Sequence, residues 1–182
     1  MAVARKRTGL EEPARAGGNV LGLFLALVLT LGSLYYIFNV ATSGDWMWFS
    51  SSFNARPLQL TVTDHGQQTL LGPADPRFEP LVQALNESIQ QGYFSSSISY
   101  SPPTWELVGR EALVVEATYL QPVLLHGGYG SSKRLVLVVS GEKIHTTQLM
   151  FWMEDANPSL LPVKLKSVAA IKQALAQQGF GK

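Results

Sequence analysis

A run of 21 residues without a charged side chain, Val20–Val40, constrains this chain more than any other feature. As a helix it would be about 30 Å long, which is the thickness of the hydrocarbon core of a membrane. A buried helix of a soluble protein is usually shorter and interrupted by polar residues. A cleaved signal peptide has an apolar region of about 7–15 residues that ends in small residues. The run therefore predicts a transmembrane helix at 20–40, with a cleaved signal peptide as the better of these two alternatives.

The distribution of lysine and arginine predicts the orientation of this helix. Residues 1–19 contain four basic residues, and the first basic residue after the run is Arg56. Short basic segments are retained on the cytoplasmic side of membranes. We therefore expect a cytoplasmic tail at 1–19 and a single-pass protein of the cell membrane, with its C-terminal domain on the extracytoplasmic side.

Aromatic residues cluster around the outer end of the predicted helix. Aromatic side chains with polar groups favour the boundary between membrane and water. They predict a membrane-interface collar, although packing beneath the domain is an equally good explanation. The residues concerned are Tyr35, Tyr36, Trp46, Trp48 and Phe49.

Small residues recur along one face of the same helix. Gly22, Ala26 and Thr30 are spaced four residues apart, and Ser33 lies beside them. This spacing allows two helices to approach closely in lipid, where van der Waals packing drives association. It predicts a helix–helix interface with an integral membrane protein partner. The alternative is that these residues reflect only the ordinary composition of membrane helices.

The rest of the chain predicts one α+β domain. Residues 41–57 lack periodicity and are interpreted as a juxtamembrane linker, and 58–182 as the extracytoplasmic domain. Alternation predicts strands, and a 3.6-residue period predicts two amphipathic helices that cover one face of an antiparallel sheet. The first helix should bury Phe78, Leu81, Val82, Leu85 and Ile89, and the second should span about 167–178. Predicted strands are 58–62, 68–71, 97–100, 104–108, a long one within 112–125, 133–140 and 143–153.

Composition excludes several classes of function. The chain has no cysteine, so disulfides, thiolate metal sites, covalent haem and cysteine nucleophiles are excluded. A formal net charge of +1 gives no basic surface of the kind that nucleic acids require, so we expect no nucleic-acid partner.

No motif predicts catalysis, a metal site or a cofactor. The three histidines, His65, His126 and His145, do not have a spacing that brings two of them to one face. Asp64 precedes His65, but adjacent side chains of an extended chain point to opposite faces. The sequon Asn86-Glu87-Ser88 lies within a predicted helix. We expect a protein that is not an enzyme and binds no cofactor or metal.

One strand offers a candidate surface for a partner protein. Met150, Phe151, Trp152 and Met153 make both faces of this strand apolar. Such a strand is either buried on both sides within the fold or available for docking. We therefore expect a membrane-anchored accessory or assembly subunit that docks on a larger membrane complex. The alternatives are a tethered ligand-binding or sensor module and, with less support, an extracytoplasmic hydrolase.

Overall fold

The computed structural model describes residues 17–47, 49–50, 52–127, 131–144, 146–154, 157–158 and 162–181. It divides the chain into two compact units, Met1–Gly44 and Asp45–Lys182. The described part of the first unit is one helix followed by Gly44, α1 (Gly17–Ser43). Its segment Val20–Thr42 is long and apolar enough to span a membrane, and none of it is buried inside the protein.

The second unit combines helices with an antiparallel sheet. Seven strands follow the order β2-β1-β4-β5-β6-β8-β3, and the short β7 pairs with β6. Every neighbouring pair is antiparallel. The predicted α+β class is therefore confirmed. The elements are β1 (Gln59–Asp64), β2 (Gln67–Leu71), α2 (Phe78–Gln90), β3 (Tyr93–Ser95), α3 (Pro102–Glu111), β4 (Ala112–Leu124), β5 (Ser131–Gly141), β6 (Leu149–Glu154), β7 (Asn157–Pro158), β8 (Val163–Leu165) and α4 (Ala169–Gln177).

Two apolar clusters form the core, and the central strands contribute to both. Successive residues of a strand point to opposite faces. Val115 of β4 accordingly lies in a cluster with buried residues of α2 and α4, and its neighbour Val114 lies in a cluster with Val108 of α3. All five apolar residues predicted for the first helix are buried.

Helix α3 corrects the strand predicted at 104–108. Ser101 has an extended backbone, and prolines occupy the start of the helix, where their missing amide hydrogens cost nothing. Within the helix, Trp105 and Val108 are three positions apart and pack into the same cluster. Burial of one helical face therefore overrides the preference of these residues for strands.

Two further strand predictions are also wrong in position. Residues 97–100 have no regular secondary structure, and the strand lies earlier, at Tyr93–Ser95, where it pairs with β8. The described residues of 143–148 form no strand either. The connection that leads to β6 is therefore longer than the predicted one between 140 and 143, and the Gln148 amide donates to the Val138 carbonyl (2.8 Å).

The segment predicted as a linker belongs largely to the domain. The boundary between the units lies between Gly44 and Asp45, well before residue 58. Phe53 is buried in the larger cluster, and its carbonyl accepts a hydrogen bond from the Gln90 side chain of α2 (2.5 Å). The buried Phe53 side chain and the hydrogen bond from the Gln90 side chain therefore fix a segment that lacks any periodic pattern.

Candidate functional site

The most unusual polar group of the second unit is the carboxylate of Asp45, its first residue. This residue is only 1% exposed. Its Oδ1 accepts hydrogen bonds from the Met47 amide (3.0 Å) and from Nδ1 of His126 (2.9 Å). Its Oδ2 accepts one from the Gly127 amide (2.9 Å). Asp45, Met47, His126 and Gly127 are called the Asp45 cluster below.

The Asp45 cluster joins distant parts of the fold. His126 and Gly127 follow β4, and the Tyr93 hydroxyl of β3 donates to the His126 carbonyl (2.8 Å). Burial raises the pKa of Asp45, but the hydrogen bonds from His126, Gly127 and Met47 outweigh it and hold the pKa below its usual value of 3.8. Asp45 is therefore ionised at neutral pH, and its negative charge is compensated within the fold.

Exposed apolar side chains lie next to the Asp45 cluster along the chain. Trp46 is 69% exposed, Phe49 is 64% exposed and Leu124 is 40% exposed. Each is within two positions of a member of the cluster. Together they are called the apolar patch. Trp46 and Phe49 were predicted at a membrane interface, as was Trp48, which lies outside the described residues; that role stays a prediction.

The other predicted interface residues lie on α1. Tyr35 and Tyr36 are exposed in its C-terminal half. Gly22, Ala26, Thr30 and Ser33 are also exposed, and a side chain added at Gly22 would meet nothing within 4 Å. The Thr30 hydroxyl donates to the Ala26 carbonyl of its own helix (2.8 Å). This face is therefore accessible for packing, and its role as a helix–helix interface stays a prediction.

The candidate docking strand is β6, and most of it lies in the core. Met150 and Trp152 are buried in the larger cluster, and Phe151 is buried in the other. Met153 is half-buried against the second cluster. Of the two interpretations that the sequence allows, burial on both sides of the strand is the one observed. These side chains therefore leave no apolar face for a partner protein.

Phe151 contacts a pair of aromatic residues from the two segments that the sequence wrongly predicts as strands at 97–100 and 104–108. Its ring centroid lies 5.0 Å from that of Tyr100 and 4.8 Å from that of Trp105 in α3. Burial raises the pKa of the Tyr100 hydroxyl to about 12, and this hydroxyl donates to the Thr146 carbonyl. Helix α3 thus supplies the cover for the second apolar face of β6.

Two histidines have an acidic neighbour. His65 has a φ of +48° in the turn after β1, so its Nδ1 reaches the Asp64 carboxylate at 2.6 Å. The expectation that these side chains point apart is therefore wrong, because the backbone is not extended here. Among the described residues, no serine or threonine hydroxyl bonds to the ring of His65 or His126. The described residues also contain no group of three side chains that could hold a metal ion. His145 lies outside them.

A polar groove lies between residues 54–56 and α2. It has a volume of about 450 Å³ and is lined by Asn54, Arg56 and the polar face of α2. Asn86 lies at its wall and is largely buried, as is Ser88. The sequon that contains both residues is therefore inaccessible to a glycosyltransferase in the folded domain.

The Asp45 cluster is the part of the site that sequence reasoning missed. Asp45 and His126 are 81 positions apart, and neither belongs to a recognisable motif. Comparisons with protein-family models, curated proteins and solved structures found no match to this chain.

Proposed function

We propose that the protein is a non-enzymatic, single-pass accessory or assembly subunit whose extracytoplasmic domain docks on a larger membrane protein complex. The observation that carries this proposal is α1, whose segment Val20–Thr42 is long and apolar enough to span a membrane and has exposed side chains over 20–38. In water such a surface would strongly favour association, and a bilayer removes it from water. In this proposal residues 1–19 are cytoplasmic. Within the extracytoplasmic domain, α2 and α4 cover one face of the sheet.

The small-residue face of α1 is the proposed contact with the partner. Gly22, Ala26, Thr30 and Ser33 are exposed and present little side-chain volume. Because Thr30 satisfies its hydroxyl within its own helix, close packing would not leave that polar group unpaired in lipid. An integral membrane protein with a matching small-residue helix fits this face.

Two other functions have less support. A sensor that binds an apolar ligand needs an enclosed apolar cavity, whereas the groove beside α2 is lined by charged and amide side chains with Val82 among them. The hydrolase that the sequence leaves open would need histidine, acid and hydroxyl groups that converge. Among the described residues, the imidazole rings of His65 and His126 bond to carboxylates but to no serine or threonine hydroxyl.

The test is the size of the complex after gentle solubilisation. A C-terminally tagged chain should co-purify with membrane proteins and migrate above the monomer on native gels. Ala26→Leu should reduce this complex, because it adds volume to the small-residue face. Val28→Leu adds volume on the opposite side of α1 and should leave the complex intact. A free monomer in native gels and after crosslinking would refute the proposal.

A further inference from the structure

We propose that the apolar patch (Trp46, Phe49 and Leu124) inserts into the headgroup region of the bilayer, and that the Asp45 cluster holds the turn after β4 at this depth. The inference rests on the membrane anchoring proposed above. Beyond the anchoring by α1, one end of the folded domain also contacts the lipid surface. The apolar patch inserts at the boundary between lipid headgroups and acyl chains.

Chain connectivity sets the depth of Asp45. The apolar part of α1 ends at Thr42, and Asp45 follows Ser43, the last helical residue, by two positions. Two residues span at most about 7 Å, even when fully extended. Because the apolar part is 23 residues long and about 20 residues cross a membrane, no spare segment separates Asp45 from the bilayer surface.

The hydrogen bonds of Asp45 bring a second part of the chain to the same depth. His126 Nδ1 and the Gly127 amide both lie 2.9 Å from the Asp45 carboxylate. Leu124 precedes His126 by two residues and is exposed. If Asp45 lies at the membrane surface, the end of β4 must therefore lie there too.

The chemistry of these residues suits a lipid boundary. Tryptophan and phenylalanine are favoured where apolar contact meets polar groups, and the exposed side chains of the patch supply this contact. A bare carboxylate so close to the acyl chains would be costly. Asp45 avoids that cost because it is buried in the protein and receives hydrogen bonds from His126, Gly127 and Met47.

The absence of cysteine makes a direct depth measurement possible. Single-cysteine variants Leu124→Cys and Gln67→Cys of the full chain carry an environment-sensitive fluorophore and are reconstituted into phosphatidylcholine vesicles with headgroup-spin-labelled lipid. Gln67 is exposed and pairs with Asp64, which pairs with Leu113. Because Leu113 and Leu124 are eleven residues apart on β4, the two labels report on ends of the strand up to about 36 Å apart.

The label at 124 should show a blue shift and loss of emission through the spin label, and the label at 67 should show neither. If vesicles float with the protein after an alkaline wash but the label at 124 behaves like that at 67, the inference is wrong and the anchor stands. If the protein does not float with the vesicles, membrane anchoring fails and the inference fails with it.

The role of the Asp45 cluster is tested in the same vesicles. Asp45→Asn and, from the other side of the contact, His126→Ala should reduce the quenching at 124 towards the level at 67. Far-UV circular dichroism verifies that each variant is folded. Quenching at 124 that is unchanged in both folded variants would show that the cluster does not hold this turn at the membrane.

Discussion

Replacement of Asp45 with asparagine should lower the free energy of unfolding of the second unit by about 2–4 kcal/mol. The wild-type carboxylate accepts three hydrogen bonds in a site that is 1% exposed. Asparagine keeps the shape but replaces one acceptor oxygen with a donor group. At least one of the His126 and Gly127 donors then loses its partner, and an unpaired buried donor costs about 1–3 kcal/mol in addition to the lost charge.

Thermal unfolding of the full chain in detergent micelles, followed by near-ultraviolet circular dichroism, measures this change. A loss of this size should lower the melting temperature by about 5–15 °C for a domain of this length. Glu87→Gln is the matched control, since Glu87 is exposed on α2 and its bonding partner among the described residues is Gln83 in its own helix. An Asp45→Asn shift no larger than that of the control would refute the reasoning.

The effect of pH follows from the direction of the pKa shift. Burial raises the pKa of Asp45, but its hydrogen bonds outweigh this and lower the folded-state pKa below 3.8. A group with a lowered folded-state pKa stabilises the fold above its unfolded pKa, and the stabilisation is lost as the pH falls through the folded pKa. The difference between wild type and Asp45→Asn should be constant near neutral pH and shrink below about pH 4. A difference that persists unchanged in stronger acid would contradict this account.

Four other substitutions test the packing by urea denaturation. Phe151→Ala should lower the free energy of unfolding by about 3–5 kcal/mol because the ring is fully buried. Phe94→Ala on edge strand β3, where the residue is 47% exposed, should lower it by under about 1 kcal/mol. Equal effects would contradict the burial of β6. Tyr119→Phe should leave stability unchanged or raise it, since the buried hydroxyl has no partner among the described residues; a clear loss would mean that the hydroxyl is paired. Ser88→Ala should cost about 1–2 kcal/mol, because its hydroxyl accepts from the Ile171 amide of α4 (3.3 Å) and donates within α2; wild-type stability would contradict this contact.

Local patterns predict the elements whose periodicity matches their burial. The stripe from Phe78 to Ile89 predicts α2 because each of its apolar residues packs into one cluster. The turn at Asp64 to Gly66 predicts the hairpin of β1 and β2, since a glycine readily adopts the φ of +84° found at Gly66. The strand predicted at 104–108 is wrong because Trp105 and Val108 favour strands locally, whereas burial of one helical face in the second cluster decides for a helix.

The candidate site is harder to predict because its members are brought together only by the tertiary fold. Asp45 looks like an ordinary polar residue after a membrane helix, and His126 like the start of a flexible glycine loop. Neither residue type nor spacing indicates that one accepts a hydrogen bond from the other across 81 positions. A general physical constraint applies to Asp45, because a carboxylate next to a predicted membrane helix must be hydrated or must accept hydrogen bonds from donors. In this chain the donors belong to the domain, so under the anchoring that we propose the same contacts that satisfy Asp45 would keep the turn after β4 near the membrane.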